Sequence, residues 1–285
     1  MSYKSILVLA LGRHDEPAIH AGAWLAAEHD AVAHVLPVYP DLAADFAATA
    51  TAFGGAAPPG AFDAAAEIAE ENQSRIDAAC FAAAAGADIV LGAGEESPRL
   101  ISHPYERRVW ASLERACVLA DLAVVSGEIL GKEHERTVQF VEEVLMRQRL
   151  PLLIARGSPD QLSGRAVIAW NGRIEAARAV RAALPLLGGC SDIDIVGHGD
   201  NGDPARPSMD QLSDFLKLHG VGSADILALA GDDPATAILT ACQTKQAGLL
   251  VAGAYGHSRL REFVLGGVTR ALLEAEDGPS LLLAH

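Results

Sequence analysis

ILVLALGR (Ile6–Arg13) reappears 160 positions later as AVIAWNGR (Ala166–Arg173). Each is a short apolar run closed by Gly-Arg, followed by an Ala-rich helical stretch and a second apolar run. Those second runs, AVAHVLPVY (Ala31–Tyr39) and SDIDIVGHG (Ser191–Gly199), keep the same offset. Further along, GADIVLGAGEE (Gly86–Glu96) matches SADILALAGDD (Ser223–Asp233), and ADLAVVSG (Ala120–Gly127) matches AGLLVAGA (Ala247–Ala254). PLLIARG (Pro151–Gly157) sits over PSLLLAH (Pro279–His285), so five strand-like segments recur in one order in both halves. Self-similarity on this scale marks a duplicated folding unit.

Between the apolar runs lie helical stretches such as EIAEENQSRIDAACFAAAA (Glu67–Ala85) and PATAILTACQTKQ (Pro234–Gln246). Short apolar strands alternating with helices of this length indicate βαβ units and a parallel sheet covered on both faces. The expected fold is therefore α/β, with two tandem open parallel sheets. The first unit spans 1–157 and the second 164–285, joined through RGSPDQLSGR (Arg156–Arg165), where Gly, Ser, Pro and Asp cluster. An insertion in the first half, AATATAFGGAAPPGAF (Ala47–Phe62), reads as a surface loop, with a lid as the alternative.

Bulk properties narrow the function. Half of the 285 residues are hydrophobic, and 37 acidic residues against 22 basic ones leave a formal net charge of −15. That field repels nucleic acid and anionic lipid, so neither is an expected partner. A local anion site built from backbone N–H groups at a helix end is compatible with it. No apolar run is long enough to cross a membrane, and LGRHDEP after the first strand offers no signal cleavage site, so a cytoplasmic location is expected. Cys80, Cys117, Cys190 and Cys242 lack CxxC spacing and read as buried free thiols.

The candidate site is GAYGHSRLREFVLGGVT (Gly253–Thr269), which links an apolar strand to the helical VTRALLEAE. In an open parallel sheet, ligands bind beyond the carboxyl ends of the strands where strand order reverses. If this strand neighbours the first strand of its unit, Gly253 and Gly256 would let backbone approach a ligand closely. Gly266 and Gly267 would open the last helix, whose N–H groups and positive dipole end favour phosphate. Ser258 would add a hydroxyl, and Arg259 and Arg261 charge. The alternative is that these glycines set turns and close helix packing.

Two tandem βαβ units, with a strand followed by G-x-x-G, nine residues and G, resemble the universal stress protein family in its tandem form. Gly253-Ala-Tyr-Gly256, His257 to Leu265 and Gly266 fit that spacing. Val268-Thr269 and GDDPATAIL (Gly231–Leu239) are also similar to the family pattern. The resemblance implies, for each unit, a Rossmann-like, adenine nucleotide α-hydrolase-like sheet of five parallel strands, order 3-2-1-4-5. It implies pairing through the last strand, as a homodimer or an intramolecular pseudo-dimer. It also implies ATP or another adenine nucleotide as ligand, with room for Mg²⁺. The site residues it points to are Asn171, Gly172, Gly253, Gly256, His257, Ser258, Gly266, Gly267, Val268 and Thr269.

The chain departs from that pattern in places. Gly267 stands where the family has a Ser or Thr hydroxyl, a loss worth about 1.5–3 kcal/mol, with Thr269 two residues on as a partial substitute. Asn171 stands where an Asp holds adenine, and an amide can still meet a purine edge. In the first half Leu11 replaces Asn171, Ser126 replaces Gly253, and Val138 and Gln139 replace Gly266 and Gly267. No nucleotide is expected there. Trp170 reads as core.

Other chemistries find no footing. G-x-x-x-x-G-K-[ST], G-x-S-x-G and H-E-x-x-H are all missing. GHGDNGD (Gly197–Asp203) reads as a polar loop rather than a metal site. HPYERR (His103–Arg108) reads as a helix start, and the ten histidines form no cluster in sequence. No nucleophile–base pair can be named, so no catalytic residue is assigned and at most slow ATP hydrolysis is expected. The reading is a stress protein whose second half binds an adenine nucleotide weakly as a regulatory ligand; a nucleotide-free interaction module is the alternative.

Overall fold

A computed structural model describes residues 2–39, 43, 47, 59–128, 139–198, 206–231, 233–254 and 267–285. The first half runs β1 (Ser5–Ala10), α1 (Glu16–His29), β2 (Val32–Pro37), α2 (Ala61–Ala87), β3 (Val90–Leu91), β4 (Arg99–Ser102), α3 (Val109–Cys117), β5 (Leu122–Ser126) and β6 (Leu152–Ala155). A π-helical turn over Glu143–Arg147 precedes β6, and a 3₁₀ turn over Pro159–Ser163 follows it. The second half runs β7 (Arg165–Ala169), α4 (Ile174–Leu187), β8 (Asp192–His198), α5 (Met209–Leu218), β9 (Ala224–Leu229), α6 (Pro234–Lys245), β10 (Leu249–Gly253), α7 (Gly267–Glu274) and β11 (Ser280–Ala284).

All strands join one 11-stranded sheet in the order β3-β4-β2-β1-β5-β6-β11-β10-β7-β8-β9. In the second half that is 3-2-1-4-5 in its own numbering, as expected. The first half keeps the order but gains a strand: β4 lies between β2 and the third-strand counterpart β3. The cause is local. The apolar run ends after Val90-Leu91 in a glycine at φ +120°, Gly92, and Gly94, Glu95, Glu96 and Pro98 cannot extend it. The chain re-enters the sheet through RLIS, whose Leu100 is fully buried.

Pairing between described strands is parallel within each half and antiparallel where β6 meets β11, with Leu283 opposite Leu152, Leu282 opposite Leu153 and Leu281 opposite Ile154. Alternation along the strands divides the apolar side chains between two faces. Ile6, Val8, Ile168 and Val251 pack with α1, α2, α4 and α5. Leu7, Leu9, Val167 and Leu250 pack with α3, α6, α7 and the π turn. Both layers run through both halves, so the seam is interior. The inner strand β8 also carries a charge: Asp194 is fully buried, 2.9 Å from Arg165 Nη1 on β7 and bonded to Lys245 Nζ at the end of α6.

The four cysteines are free thiols; Cys80, Cys117 and Cys242 are buried and Cys190 half-buried. Burial pushes Cys80, Cys117 and Cys190 up to about 11 and Cys242 up to about 12, which removes them as nucleophiles at neutral pH. No helix among the described residues is long and apolar enough to cross a membrane.

Candidate functional site

β7 has β8 on one side and β10 on the other, with Ala169 opposite Ala252, so strand order reverses at its carboxyl end. The switch point thus falls where the sequence put it, between Trp170–Arg173 and Gly253. Gly172 turns the chain at φ +68°, a conformation that L side chains rarely adopt. A Cβ there would lie 2.8 Å from Arg206 Cβ and 3.0 Å from the Pro207 carbonyl. Asn171 folds its Oδ1 onto the N–H of Arg173 at 3.0 Å, an Asx turn leading into α4. Trp170 is buried and donates its indole N–H to the Pro207 carbonyl at 2.9 Å, in keeping with a core role.

Gly253 is explained by packing. A Cβ on it would stand 2.5 Å from Ala176 N and 2.7 Å from Glu175 C, so the first turn of α4 rests directly on the end of β10. Gly256, His257, Ser258 and Gly266 lie outside the described residues. α7 opens at Gly267, where no atom among the described residues lies within 4 Å of a would-be Cβ, with Val268 exposed next to it. Thr269, proposed as a substitute hydroxyl, is 5% exposed and packs toward the core. Of the GHGDNGD loop, Gly199 to Asp203 lie outside the described residues. No cluster of three or more metal-binding side chains occurs among the described residues.

The equivalent end of the first half is closed by its own side chains. Asp15 is 4% exposed, and its carboxylate accepts the N–H groups of Leu11 at 2.8 Å and Gly12 at 2.7 Å. Gly12 sits at φ +93°, with the Asn72 amide 2.9 Å from where a Cβ would be. Arg75 spans from Asn72 Oδ1 to the Gly12 carbonyl. Ser126, the counterpart of Gly253, is fully buried, and its Oγ accepts the Glu128 N–H.

No protein-family model matches the chain, and neither does any curated protein sequence. Among solved structures, it is similar to a universal stress protein from Archaeoglobus fulgidus DSM 4304, with 16% identity over 98% of this chain and 97% of that one, at a TM-score of 0.66. The chain has the universal stress protein fold. A putative universal stress protein from Pseudomonas aeruginosa UCBPP-PA14 aligns over 99% of this chain and 93% of its own, with 13% identity and a TM-score of 0.53. Both alignments span the two halves, so the universal stress fold extends across the whole duplicated chain.

Spacing along the chain hid one cluster of this fold. His34 on β2 and His103 after β4 meet Nδ1 to Nε2 at 3.1 Å, although they stand 69 positions apart in the chain. Burial, the facing His103 and Arg99 all lower the pKa of His34; burial lowers that of His103 against a raising effect from Glu106. A base depressed in the folded state takes up more protons when unfolded, so the contribution to stability is complete above the unfolded value of about 6.5 and is lost as pH falls through and below it. The urea midpoint is expected to drop between pH 7.5 and pH 5, and His34→Gln to flatten that drop. Parallel profiles for the two proteins would contradict the assignment.

Proposed function

We propose that the chain is a cytoplasmic stress-response protein of the universal stress type whose second half binds an adenine nucleotide weakly, as a regulatory ligand. The observation that carries this reading is the start of α7: Gly267 opens an eight-residue helix, and no atom among the described residues lies within 4 Å of where its Cβ would be. Such a start offers N–H groups and a positive dipole end to phosphate. Gly267 and Val268 would hold the phosphates through main chain, and Gly256, His257, Ser258 and Gly266 belong to the same connection in sequence. Asn171 would turn its amide toward the base. Mg²⁺ would accompany ATP and supply charge neutralisation there. Binding is the output, passed on through contacts of the halves or of a second chain; the β6–β11 pairing favours the intramolecular pseudo-dimer.

Calorimetry with ATP, ADP and AMP, with and without Mg²⁺, is expected to give weak binding at one site per chain. Gly256→Val is expected to abolish it, because a branched side chain would fill the close approach. Absence of binding at millimolar nucleotide by folded protein would dismiss the reading.

A second reading, a nucleotide-free interaction module, is favoured by two contacts. Asn171 Oδ1 already accepts the Arg173 N–H, and the space beside Gly253 holds the backbone of α4. Two of the expected ligand contacts are thus engaged within the chain. Co-purified nucleotide released on denaturation would count against this reading.

A further inference from the structure

α7 is the helix on which the proposed nucleotide site rests, yet its own last turn carries no basic residue. The cation at that end comes from the other half. Arg156 follows β6 directly, and its Nη2 donates to the carbonyls of Leu272 at 3.1 Å and Leu273 at 2.8 Å. Its Nη1 donates to the Pro279 carbonyl at 3.1 Å, in the turn between α7 and β11. Its main chain is bound on both sides to one hydroxyl: the Arg156 N–H donates to Ser280 Oγ at 3.0 Å, and Ser280 Oγ donates to the Arg156 carbonyl at 2.9 Å.

Several features read as accommodation of this one side chain. A Cβ on Gly127, at the end of β5, would fall 2.5 Å from Arg156 Cγ and 2.9 Å from Nε, so Gly127 leaves the channel through which the arginine passes. Nε is buried and has no hydrogen-bond partner among the described residues, so the guanidinium is placed for the helix end rather than for maximal pairing. Burial lowers the Arg156 pKa to about 10, which leaves it charged at neutral pH. The last carbonyls of a helix lack intrahelical donors and carry the negative end of its dipole, so a buried cation there both satisfies and neutralises them.

We infer that Arg156 is a positioning residue: the first half supplies, across the β6–β11 seam, the C-terminal cap of the helix whose first turn forms the candidate site in the second half. The site's geometry then depends on the joined halves. The inference rests on the proposed reading only for its functional consequence, because the capping itself is measurable with no nucleotide present.

The test is amide hydrogen exchange over Val268–Glu274 in the full chain, free of nucleotide. Arg156→Met is expected to speed exchange there about tenfold or more, the factor that loss of one charge-assisted hydrogen bond corresponds to, while β1 and β2 stay protected. Arg156→Lys is expected to restore part of the protection, because an ammonium still reaches a carbonyl. Arg270→Gln, which removes an exposed ion pair with Glu274 on the same helix, is expected to change little. Should Arg156→Met fail to fold, Gly127→Ala displaces the guanidinium while keeping its charge, and the same local acceleration is expected. Unchanged exchange in a folded Arg156→Met or Gly127→Ala protein overturns the inference. Where ADP binds the native chain, these variants are expected to weaken it several-fold with one site retained; native protein that binds no ADP refutes the nucleotide reading and leaves the exchange result to decide the cap.

Discussion

Asp194→Ala is expected to cost about 3–5 kcal/mol of folding stability, the range for breaking one side of a buried ion pair. Asp194 is fully buried and is shared by Arg165 and Lys245, both half-buried, so truncation removes the buried anion that both cations share. Its position accounts for the size of the effect. It ties the first strand of the second half, β7, to the end of α6 from its place on the paired neighbour β8. Asp194→Asn, which keeps acceptor and shape, is expected to cost less than Asp194→Ala. Asp192 also lies near Arg165, at 3.4 Å, but is exposed, and Asp192→Ala is expected to cost under about 1 kcal/mol. Urea unfolding at pH 7 checks all three, and near-equal losses for Asp192→Ala and Asp194→Ala would refute this account.

The second large effect concerns the first half. Asp15→Ala is expected to destabilise the protein by about 2–4 kcal/mol, because two main-chain N–H groups lose a charged acceptor in a buried place. Asp15 is the N-cap residue of α1, but its side chain caps no α1 amide; it turns back onto Leu11 and Gly12. The carboxylate thereby occupies the main-chain groups at the carboxyl end of β1, where the second half has its switch-point loop. Asp15→Asn should fall between native protein and Asp15→Ala, since it keeps one acceptor and sets an N–H donor against the other amide. Denaturant curves decide it, and a loss below about 0.5 kcal/mol for Asp15→Ala would show that water replaces the carboxylate without penalty.

The duplicated sheet was legible because it is written in local alternation. Five apolar runs separated by helical stretches require only neighbours in sequence, and the switch point followed from strand order. β4 was not legible: RLIS begins with an arginine after Ser-Pro and is too short for alternation to declare itself, and its place in the sheet is set by the early end of β3. Gly253 illustrates a different ambiguity. The same residue serves close approach of a ligand or of a helix, and only the position of Glu175 and Ala176 separates the two. The pairs His34 with His103, Arg156 with Leu272 and Leu273, and Asp194 with Lys245 join residues distant in the chain, whose meeting is a product of topology and leaves no periodic trace.

The seam between β6 and β11 has one more implication. Two separate chains paired edge to edge would come apart on dilution, and any substitution would appear in both at once. Here mass action has no hold on the contact, and each half accumulates changes of its own. A buried carboxylate can therefore fold onto the main chain at one strand end while the other half has an Asn in an Asx turn and a glycine at its last helix start, an asymmetry that identical subunits related by a two-fold axis cannot adopt.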